Sequence, residues 1–303
     1  MGAFLWVLVT PFTVWAALRI SGWTPTWRWT PLVAFTPYVA AASAIPLLLA
    51  LALRQRTVAL TALVTTAAFT TVLLPRTVPD GNPPARGERL RVLSTNLSMG
   101  EGDAASVVEL VRAVRPDVLT VQELTPRSAE RLDRAGLRTL MPYAVDRSSL
   151  DTPGSGIYAR FPLTESPMIE IGGFRQARAM IGRRLEIVSV HPCSPSDVRD
   201  TPCWKDGLKA LPRAGGGLRV LAGDFNATLD HRPVRELLDS GYRDAADVRG
   251  MALVPTWPQR YWGVPKVALD RVLADRRIAV EDFSVHSLPG SDHQPVFAAL
   301  RLP

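Results

Sequence analysis

Acidic side chains are absent from the start of this 303-residue chain, where the first one is Asp80. The same region contains three apolar runs, 4–20, 31–53 and 57–74, whose interiors carry no charge. A helix of about 20 apolar residues is long enough to cross a bilayer. A basic leader segment is also lacking, which disfavours the alternative of a cleaved signal peptide followed by a buried helical hairpin. The pattern predicts an all-α transmembrane anchor over residues 1–75.

The arginines around these runs do not settle the orientation of the anchor. Arg54 and Arg56 lie between the second and third runs and favour a cytoplasmic second loop, which would leave the rest of the chain outside the cell. Arg19 and Arg28 flank the first loop, and Arg76 begins a further group after the third run, so basic residues occur on both sides.

Cysteine is scarce, since Cys193 and Cys203 are the only two in the chain. Their spacing is not that of a zinc knuckle. A close pair predicts a disulfide in an exported domain, whereas in a cytoplasmic domain the two residues would be free thiols. Together with Arg54 and Arg56, the pair favours a multi-pass cell-membrane protein whose large domain is extracytoplasmic.

The net charge of +7 is concentrated at the front of the chain. Six arginines and Asp80 precede Glu88, and the remaining 29 basic and 27 acidic residues nearly balance. The composition therefore gives no basic footprint for nucleic acid. Residues 76–89 are rich in Pro, Gly and charge, which predicts a linker, and residues 90–303 are enough for one large domain. We find no internal repeat.

Polar side chains follow several predicted strands of this domain at the points where the strands end. The strands alternate with helices, predicted for example over 104–114 and 126–135, which indicates an α/β fold. Strand ends at one edge of a sheet are where sites are built on rigid scaffolds. Four predicted strands end in Asn96, Glu123, His191 and Asp224, and Asp292 and His293 precede the last strand.

The segment Gly223-Asp224-Phe225-Asn226 could by itself be an ordinary turn, in which Asp and Asn side chains bond their own backbone. The combined set is more informative, because carboxylate and amide oxygens suit a hard divalent ion such as Mg²⁺ or Mn²⁺. Enzymes that transfer a phosphoryl group to water use such a set: a hard cation, two histidines and a carboxylate that orients one of them.

Six motifs in chain order resemble the signature of the endonuclease/exonuclease/phosphatase superfamily, also called the deoxyribonuclease-I-like fold. The resemblance covers residues 90–303. It implies a four-layer α/β sandwich of two packed mixed β-sheets with outer helices, and a divalent-metal-dependent phosphoesterase. The motifs are Thr95-Asn96, Gln122-Glu123, Val190-His191, Gly223-Asp224-Phe225-Asn226, Leu269-Asp270-Arg271-Val272 and Ser291-Asp292-His293.

The resemblance also implies the ligands of the metal. Glu123 resembles the principal ligand of Mg²⁺ or Mn²⁺, Asn96 lies beside it, and Asp292 lies near the metal.

The remaining matched residues resemble the groups that act on the phosphate and on the attacking water. Asp224 resembles the residue that orients or deprotonates the water, and Asn226 holds the phosphate or that water. His191 resembles a donor to a phosphate oxygen. His293 resembles the histidine that stabilises the transition state or serves as acid or base, with Asp270 fixing its tautomer. Water would attack in line, with no covalent intermediate.

Two features depart from the family pattern. Arg271 follows Asp270 where many members have His or Tyr. The tyrosine that some nucleases place against the phosphate has no clear counterpart, and Tyr143 and Tyr158 are the candidates. The short loops between Asn226 and Asp270 argue against extensive contacts with duplex DNA.

The substrate class stays open at this stage. Nucleic acid would suit a scavenging nuclease, whereas a phospholipid head group or inositol phosphate would suit sphingomyelinase-like or inositol-phosphatase-like relatives. Trp257, Tyr261 and Trp262 are candidates for an aromatic rim, or for packing residues. No protein partner is predicted beyond the substrate and the bilayer. A catalytically silent envelope binding domain is the alternative, and it would be expected to have a broken site.

Overall fold

A computed structural model describes residues 2–261 and 263–303. Its N-terminal part is helical. Three segments are long and apolar enough to span a membrane: Gly2–Ser21, Trp29–Ala52 and Arg56–Thr77. The helices are α1 (Gly2–Ser21), α2 (Trp29–Leu32), α3 (Thr36–Ala42), α4 (Ala44–Ala52) and α5 (Arg56–Leu73), with 3₁₀ turns at Val33–Phe35 and Leu74–Thr77.

The remaining chain alternates strands and helices. Its helices are α6 (Ala104–Val114), α7 (Pro126–Arg134), α8 (Leu137–Leu140), α9 (Asp200–Lys209), α10 (Arg232–Asp239) and α11 (Ala245–Val248). Its strands are β1 (Arg89–Asn96), β2 (Val118–Gln122), β3 (Tyr143–Arg147), β4 (Ser155–Ala159), β5 (Leu163–Ile171), β6 (Phe174–Ile181), β7 (Leu185–Val190), β8 (Leu218–Asp224), β9 (Tyr242–Asp244), β10 (Asp270–Asp275), β11 (Ala279–Val285) and β12 (Val296–Arg301).

The strands form two six-stranded sheets, in the orders β11-β12-β1-β2-β4-β3 and β5-β6-β7-β8-β10-β9. Each sheet is mixed: β1 and β2 are parallel in the first, β7 and β8 are parallel in the second, and the other pairs are antiparallel. Consequently one end of the first sheet carries the C-terminal ends of β1 and β2 and the first residue of β12. One end of the second sheet carries the C-terminal ends of β7 and β8 and the first residue of β10.

Three apolar clusters hold the layers together. One lies between the two sheets and includes Val92, Ile187 and Val272. A second joins the first sheet to α6, α7 and α8, and a third joins the second sheet to α9 and α10. The order helices, sheet, sheet, helices confirms the four-layer α/β sandwich expected from the sequence.

Local sequence explains where the helix that follows the first strand begins. Asp103 has extended backbone, and its carboxylate accepts a hydrogen bond from the Ser106 amide, which satisfies one of the free N–H groups of the first turn. Val107, Val108 and Val111 then face the sheet and are fully buried. This amphipathic spacing gives α6 one apolar face, which secures β1 and β2 from outside.

The segment proposed as a linker lies against the domain. The side chain of Asn82 accepts a hydrogen bond from the Val280 amide and donates one to the Val280 carbonyl. The carboxylate of Asp80 forms an ion pair of 3.0 Å with Arg243. These contacts fix the path of the chain between α5 and β1.

Gly223 shows why the strand that leads into Asp224 needs a glycine. Gly223 pairs with Val190 of the parallel neighbour β7. A Cβ atom at position 223 would lie 2.0 Å from the Val190 carbonyl oxygen and 2.7 Å from its nitrogen, and both atoms belong to the backbone. Any side chain here therefore pushes β8 away from β7.

We expect Gly223→Ala to destabilise the protein by about 1–3 kcal/mol, the range for forcing extra atoms into a packed core. Thermal unfolding of the full chain in detergent, followed by near-UV circular dichroism, measures the change. Gly217→Ala is the matched control, because a Cβ atom there meets nothing within 4 Å. An equal effect of the two substitutions would contradict this account of β8.

Candidate active site

The structure brings the sequence-predicted site residues to one end of the two sheets. From the first sheet, Asn96 ends β1, Glu123 follows β2, and Asp292 and His293 precede β12. From the second sheet, His191 follows β7, Asp224 ends β8, Asn226 comes two residues later, and Asp270 begins β10.

The carboxamide of Asn96 joins the two sheets. Its Nδ2 donates to Glu123 Oε1 at 3.0 Å and to Asp224 Oδ2 at 3.1 Å. Its Oδ1 accepts from the Ser98 amide at 2.9 Å, which fixes the orientation of the amide group. The other oxygen of Glu123 accepts from the Met99 amide at 2.6 Å. Asn96 therefore holds two carboxylates from different sheets at a short separation.

His293 lies between two aspartates of neighbouring strands. Asp224 and Asp270 are paired directly in the β8–β10 ladder. His293 Nδ1 lies 2.9 Å from Asp270 Oδ2, and Nε2 lies 3.5 Å from Asp224 Oδ2. The Asp270 carboxylate thereby keeps the proton on Nδ1 and directs Nε2 towards Asp224. Asp270 is fixed in turn, because Thr256 Oγ1 accepts from its backbone amide.

Hydrogen bonds of Asp224 and Asn226 stabilise the turn after β8. Asp224 Oδ1 accepts from the Asn226 amide at 2.7 Å, and Asn226 Nδ2 donates to the Pro192 carbonyl at 3.2 Å. Asn226 has φ +48° and Glu123 has φ +53°, a left-handed conformation that is uncommon outside glycine. Such backbone strain concentrates at functional sites, where surrounding contacts maintain it.

His191 points its Nε2 between two carboxylates. This atom is 3.6 Å from Glu123 Oε1 and 3.8 Å from Asp224 Oδ2, both longer than a hydrogen bond. Burial lowers the pKa of His191 to about 4, so the ring is neutral. When the single proton of the neutral ring is on Nε2, it faces the space between the two carboxylates, where an oxygen atom could accept it.

Asp292 is oriented by two residues whose role the sequence did not reveal. The hydroxyl of Ser98 donates to Oδ1 of Asp292, and the Trp257 indole N–H donates to Oδ2 at 3.0 Å. Burial would raise the pKa of Asp292, but these bonds and the charge of His293 hold it below its usual value. Ser98 has φ +46°, a conformation with no clear sequence signal, and Trp257 is 35 residues from its partner.

The aromatic residues that the sequence suggested for the site have different outcomes. Trp257, considered as a rim residue, is a hydrogen-bond donor to Asp292. Tyr261 is exposed, and Trp262 lies outside the described residues. Tyr158 is buried in the core beneath the first sheet, and Tyr143 pairs with Ala159 at the opposite end of that sheet from Glu123. Neither candidate tyrosine reaches the site.

The site carries more negative than positive charge. In the described part of the chain, none of the carboxylates of Glu123, Asp224, Asp270 and Asp292 lies within 4 Å of a lysine or arginine, and their only ion-pair partners are histidines. Asp224, Asp270 and His293 offer ligand atoms within 4.8 Å of one another. His293 Nδ1 is already bonded to Asp270, so we assign these three to proton handling.

Glu123, Asn96 and Asp292 are the residues that the sequence led us to expect around a divalent cation. Asn96 is buried, whereas Glu123 and Asp292 are partly buried, and all three carry the oxygen ligands that Mg²⁺ and Mn²⁺ prefer. Burial raises the pKa of Glu123. Burial alone would lower the pKa of His293, but Asp270, Asp224 and Asp292 raise it to about 10. Burial raises the pKa of Asp224.

Sequence comparison identifies the family. Residues 93–293, about two thirds of the chain, match the endonuclease/exonuclease/phosphatase family. The chain belongs to this family. It is therefore a metal-dependent phosphoester hydrolase. A search of curated proteins gave no significant match.

Solved structures of low sequence identity share the fold of this family member. Truncated Caenorhabditis elegans TDP2 is 18% identical, with a TM-score of 0.55 over 70% of this chain and 97% of that one. An AP endonuclease from Archaeoglobus fulgidus is 16% identical, with a TM-score of 0.56 over 69% and 98%. D. rerio TDP2, complexed with single-strand DNA product, is 16% identical, with a TM-score of 0.54 over 71% and 99%.

We expect Trp257→Phe to lower the affinity for Mn²⁺ by roughly 10- to 100-fold, the usual cost of losing a partner that orients a metal ligand. Phenylalanine keeps an aromatic ring near His293 but removes the N–H donor to Asp292. Electron paramagnetic resonance of free Mn²⁺ during titration measures the affinity. Tyr261→Phe, at an exposed aromatic of the same loop, is the control. Equal affinities in the two variants would refute the role of the indole.

Proposed function

We propose that this protein is a membrane-anchored hydrolase that cleaves a phosphoester by direct in-line attack of water. The observation that carries the proposal is the intact site: all eight family positions are filled and lie together. A catalytically silent binding domain, the alternative reading of the sequence, would not need to maintain the strained backbone at Glu123 and Asn226 or the paired Asp270 and His293.

Glu123, Asn96 and Asp292 would hold the divalent cation, Mg²⁺ or Mn²⁺. When bound, this ion would neutralise phosphate charge and favour departure of the leaving oxygen. Asp292 is held for this purpose by Ser98 and Trp257. His191 donates its Nε2 proton to a non-bridging phosphate oxygen, and Asn226 presents its carboxamide to the phosphate or to the attacking water.

Asp224 orients the attacking water and accepts its proton. Its buried carboxylate has a raised pKa, which makes it a stronger base than an exposed aspartate. His293 lies beside it and stabilises the negative charge that develops on the phosphate. Asp270 orients the His293 ring and favours its protonated form, because its carboxylate accepts a hydrogen bond from Nδ1.

Single-stranded nucleic acid is the substrate class that we favour. The support is the similarity in fold to D. rerio TDP2, which was solved with a single-strand DNA product.

A phospholipid head group is a second candidate, favoured by one contact. The hydroxyl of Tyr38, in α3, donates to the Lys266 carbonyl at 2.8 Å. Lys266 belongs to the same loop as Trp257, so a loop that reaches the site also touches the anchor.

We expect the full chain in nanodiscs with Mg²⁺ to hydrolyse one member of a panel of single-stranded DNA, duplex DNA, sphingomyelin and inositol phosphates, and EDTA to abolish the activity. Asp224→Asn and His293→Ala should each lower kcat by roughly 10²- to 10⁴-fold, the contribution of a positioned acid or base. Asp270→Asn should cost less than His293→Ala.

His286→Ala is the control for these variants, since His286 is bonded to Ser284 away from the site. Near-native turnover by both Asp224→Asn and His293→Ala would show that the roles are wrongly assigned. Failure of every substrate in the panel to react would argue for the silent domain.

We propose that the domain lies outside the cell. Arg19, at the end of α1, and Arg76, after α5, both contact Asp230, so the first loop and the domain share one side of the membrane and the second loop lies on the other. Cys193 and Cys203 have Cα atoms 5.8 Å apart, a separation that a disulfide spans, and a disulfide between them would suit an oxidising compartment.

Cysteine labelling of intact cells tests this orientation. In a chain carrying Cys193→Ser and Cys203→Ser, a membrane-impermeant maleimide should label Pro84→Cys, at an exposed position before β1, and should not label Gln55→Cys in the second loop. The reverse labelling pattern would place the domain in the cytoplasm.

A further inference from the structure

A buried ionic cluster connects the membrane helices to the domain. The Asp230 side chain is 1% exposed and accepts from two guanidinium groups of the anchor region. Arg19 Nε lies 2.8 Å from Oδ1, while Arg76 binds both oxygens at 2.9 Å through Nη1 and Nη2. Arg76 Nη2 also donates to the Leu229 carbonyl at 3.3 Å. Two ends of the anchor therefore converge on one carboxylate of the domain.

A buried histidine makes a second connection. His231 Nδ1 accepts from the Thr228 amide at 2.9 Å, so its proton must lie on Nε2. Nε2 donates to the carbonyl of Thr30, in α2, at 2.8 Å. Burial lowers the pKa of His231 to about 4, which keeps the ring in the neutral form that this pattern requires.

Both connections end on the segment that carries a site residue. We call residues 225–231 the Asn226 loop. At its beginning, Asn226 is left-handed and its backbone amide donates to the Asp224 carboxylate of the site. At its end, Asp230 and His231 are bound by the anchor. The loop is thus in contact with the site on one side and with the membrane helices on the other.

Trp204 links the two ends of the Asn226 loop. Its indole N–H donates to the Asn226 carbonyl at 3.0 Å, and its ring packs edge-on against His231 with centroids 5.3 Å apart. Arg271, fully buried beneath the loop, binds Asp244 at 2.8 Å and approaches the Ala227 carbonyl at 3.4 Å. A displacement of His231 would therefore be transmitted to the backbone of Asn226 through one rigid side chain.

The ionic cluster is poorly explained by stability alone. Desolvating buried ions costs several kcal/mol per ion, and apolar residues of similar volume commonly replace such clusters without loss. Bidentate arginine–carboxylate bonds do fix geometry, because their donors form a rigid fork. The arrangement is suited to holding the loop in one position.

We propose that the membrane anchor positions the Asn226 loop for catalysis, with Arg19, Arg76 and the Thr30 carbonyl as positioning groups that act through Asp230 and His231. The anchor is then part of the structure of the active site as well as the attachment to the bilayer. The inference rests on the proposed function for its catalytic consequence, but the position of the loop can be measured without any turnover.

Arg19→Gln is the most informative variant. It leaves Arg76 and Asp230 as a balanced bidentate pair, so that no unpaired buried charge remains at the carboxylate. In nanodiscs, we expect hydrogen–deuterium exchange in a peptide covering 225–232 to be faster by roughly 10-fold or more, because local opening no longer has to break the bond to the anchor. A peptide from β11 should exchange as in the wild type.

The catalytic readout is kcat per folded molecule, with wild-type exchange of the β11 peptide showing that the fold is retained, because a loss of folded protein alone would also lower the apparent kcat at constant KM. We expect kcat to fall by roughly 10-fold or more, as a small misplacement of a catalytic group does, while KM for a soluble substrate changes less than about twofold. Arg19→Lys should restore part of kcat. His231→Phe, which keeps a ring against Trp204 but loses the bond to Thr30, should give the same changes in exchange and kcat.

Arg28→Gln is the matched control, because Arg28 lies in the same first loop and stacks on Trp27 instead of binding a carboxylate. Wild-type exchange at 225–232 in both Arg19→Gln and His231→Phe would overturn the proposal, as would faster exchange with unchanged kcat. If no substrate is hydrolysed even by the wild-type chain, the proposed function fails, and the exchange data alone then decide whether the anchor holds the loop.

Discussion

The two sheets meet at the site through the carboxamide of Asn96, and the other groups of the site depend on it. Its NH₂ group can donate twice, and it donates to Glu123 of one sheet and Asp224 of the other. Two carboxylates held close together repel each other unless donors or cations lie between them. A second buried bond, from Gln122 Nε2 to Ser189 Oγ at 3.0 Å, crosses the sheets just behind this point and fixes their separation.

The excess of carboxylates at the site fits a metal-dependent hydrolase. In the described chain, Glu123, Asp224 and Asp270 form ion pairs only with histidines, and Asp292 forms none, so a bound divalent cation would offset charge that the protein leaves uncompensated. Glu123 has a left-handed backbone, and its carboxylate accepts from Asn96 Nδ2 and from the Met99 amide. A left-handed backbone outside glycine costs about 1–3 kcal/mol and persists only where neighbouring contacts hold it in place. At Glu123, the hydrogen bond from the Met99 amide is such a contact.

Much of the fold and of the candidate site could be predicted because buried central strands carry continuous apolar runs, and each run ends in a recognisable polar residue. The strands that the sequence did not reveal are β3, β5, β9 and β11, and these are the four edges of the two sheets. An edge strand pairs on one side only, so its apolar pattern is shorter or interrupted. Ser98 and Trp257 could not be assigned for a different reason: their importance comes from a long-range bond to Asp292, which no local pattern encodes.

The same limitation applies to Asp230 and His231, whose partners lie more than 150 residues away in the N-terminal helical region. Local sequence shows only an acidic residue and a histidine before a helix. In the folded chain they occupy one end of a short loop whose other end is Asn226. A fragment beginning at residue 90 would contain every side chain of the candidate site, yet it would lack Arg19, Thr30 and Arg76. Because packed interfaces have discrete arrangements and do not deform continuously, the proposed positioning role makes the geometry of the site depend on how the N-terminal helices pack against the domain.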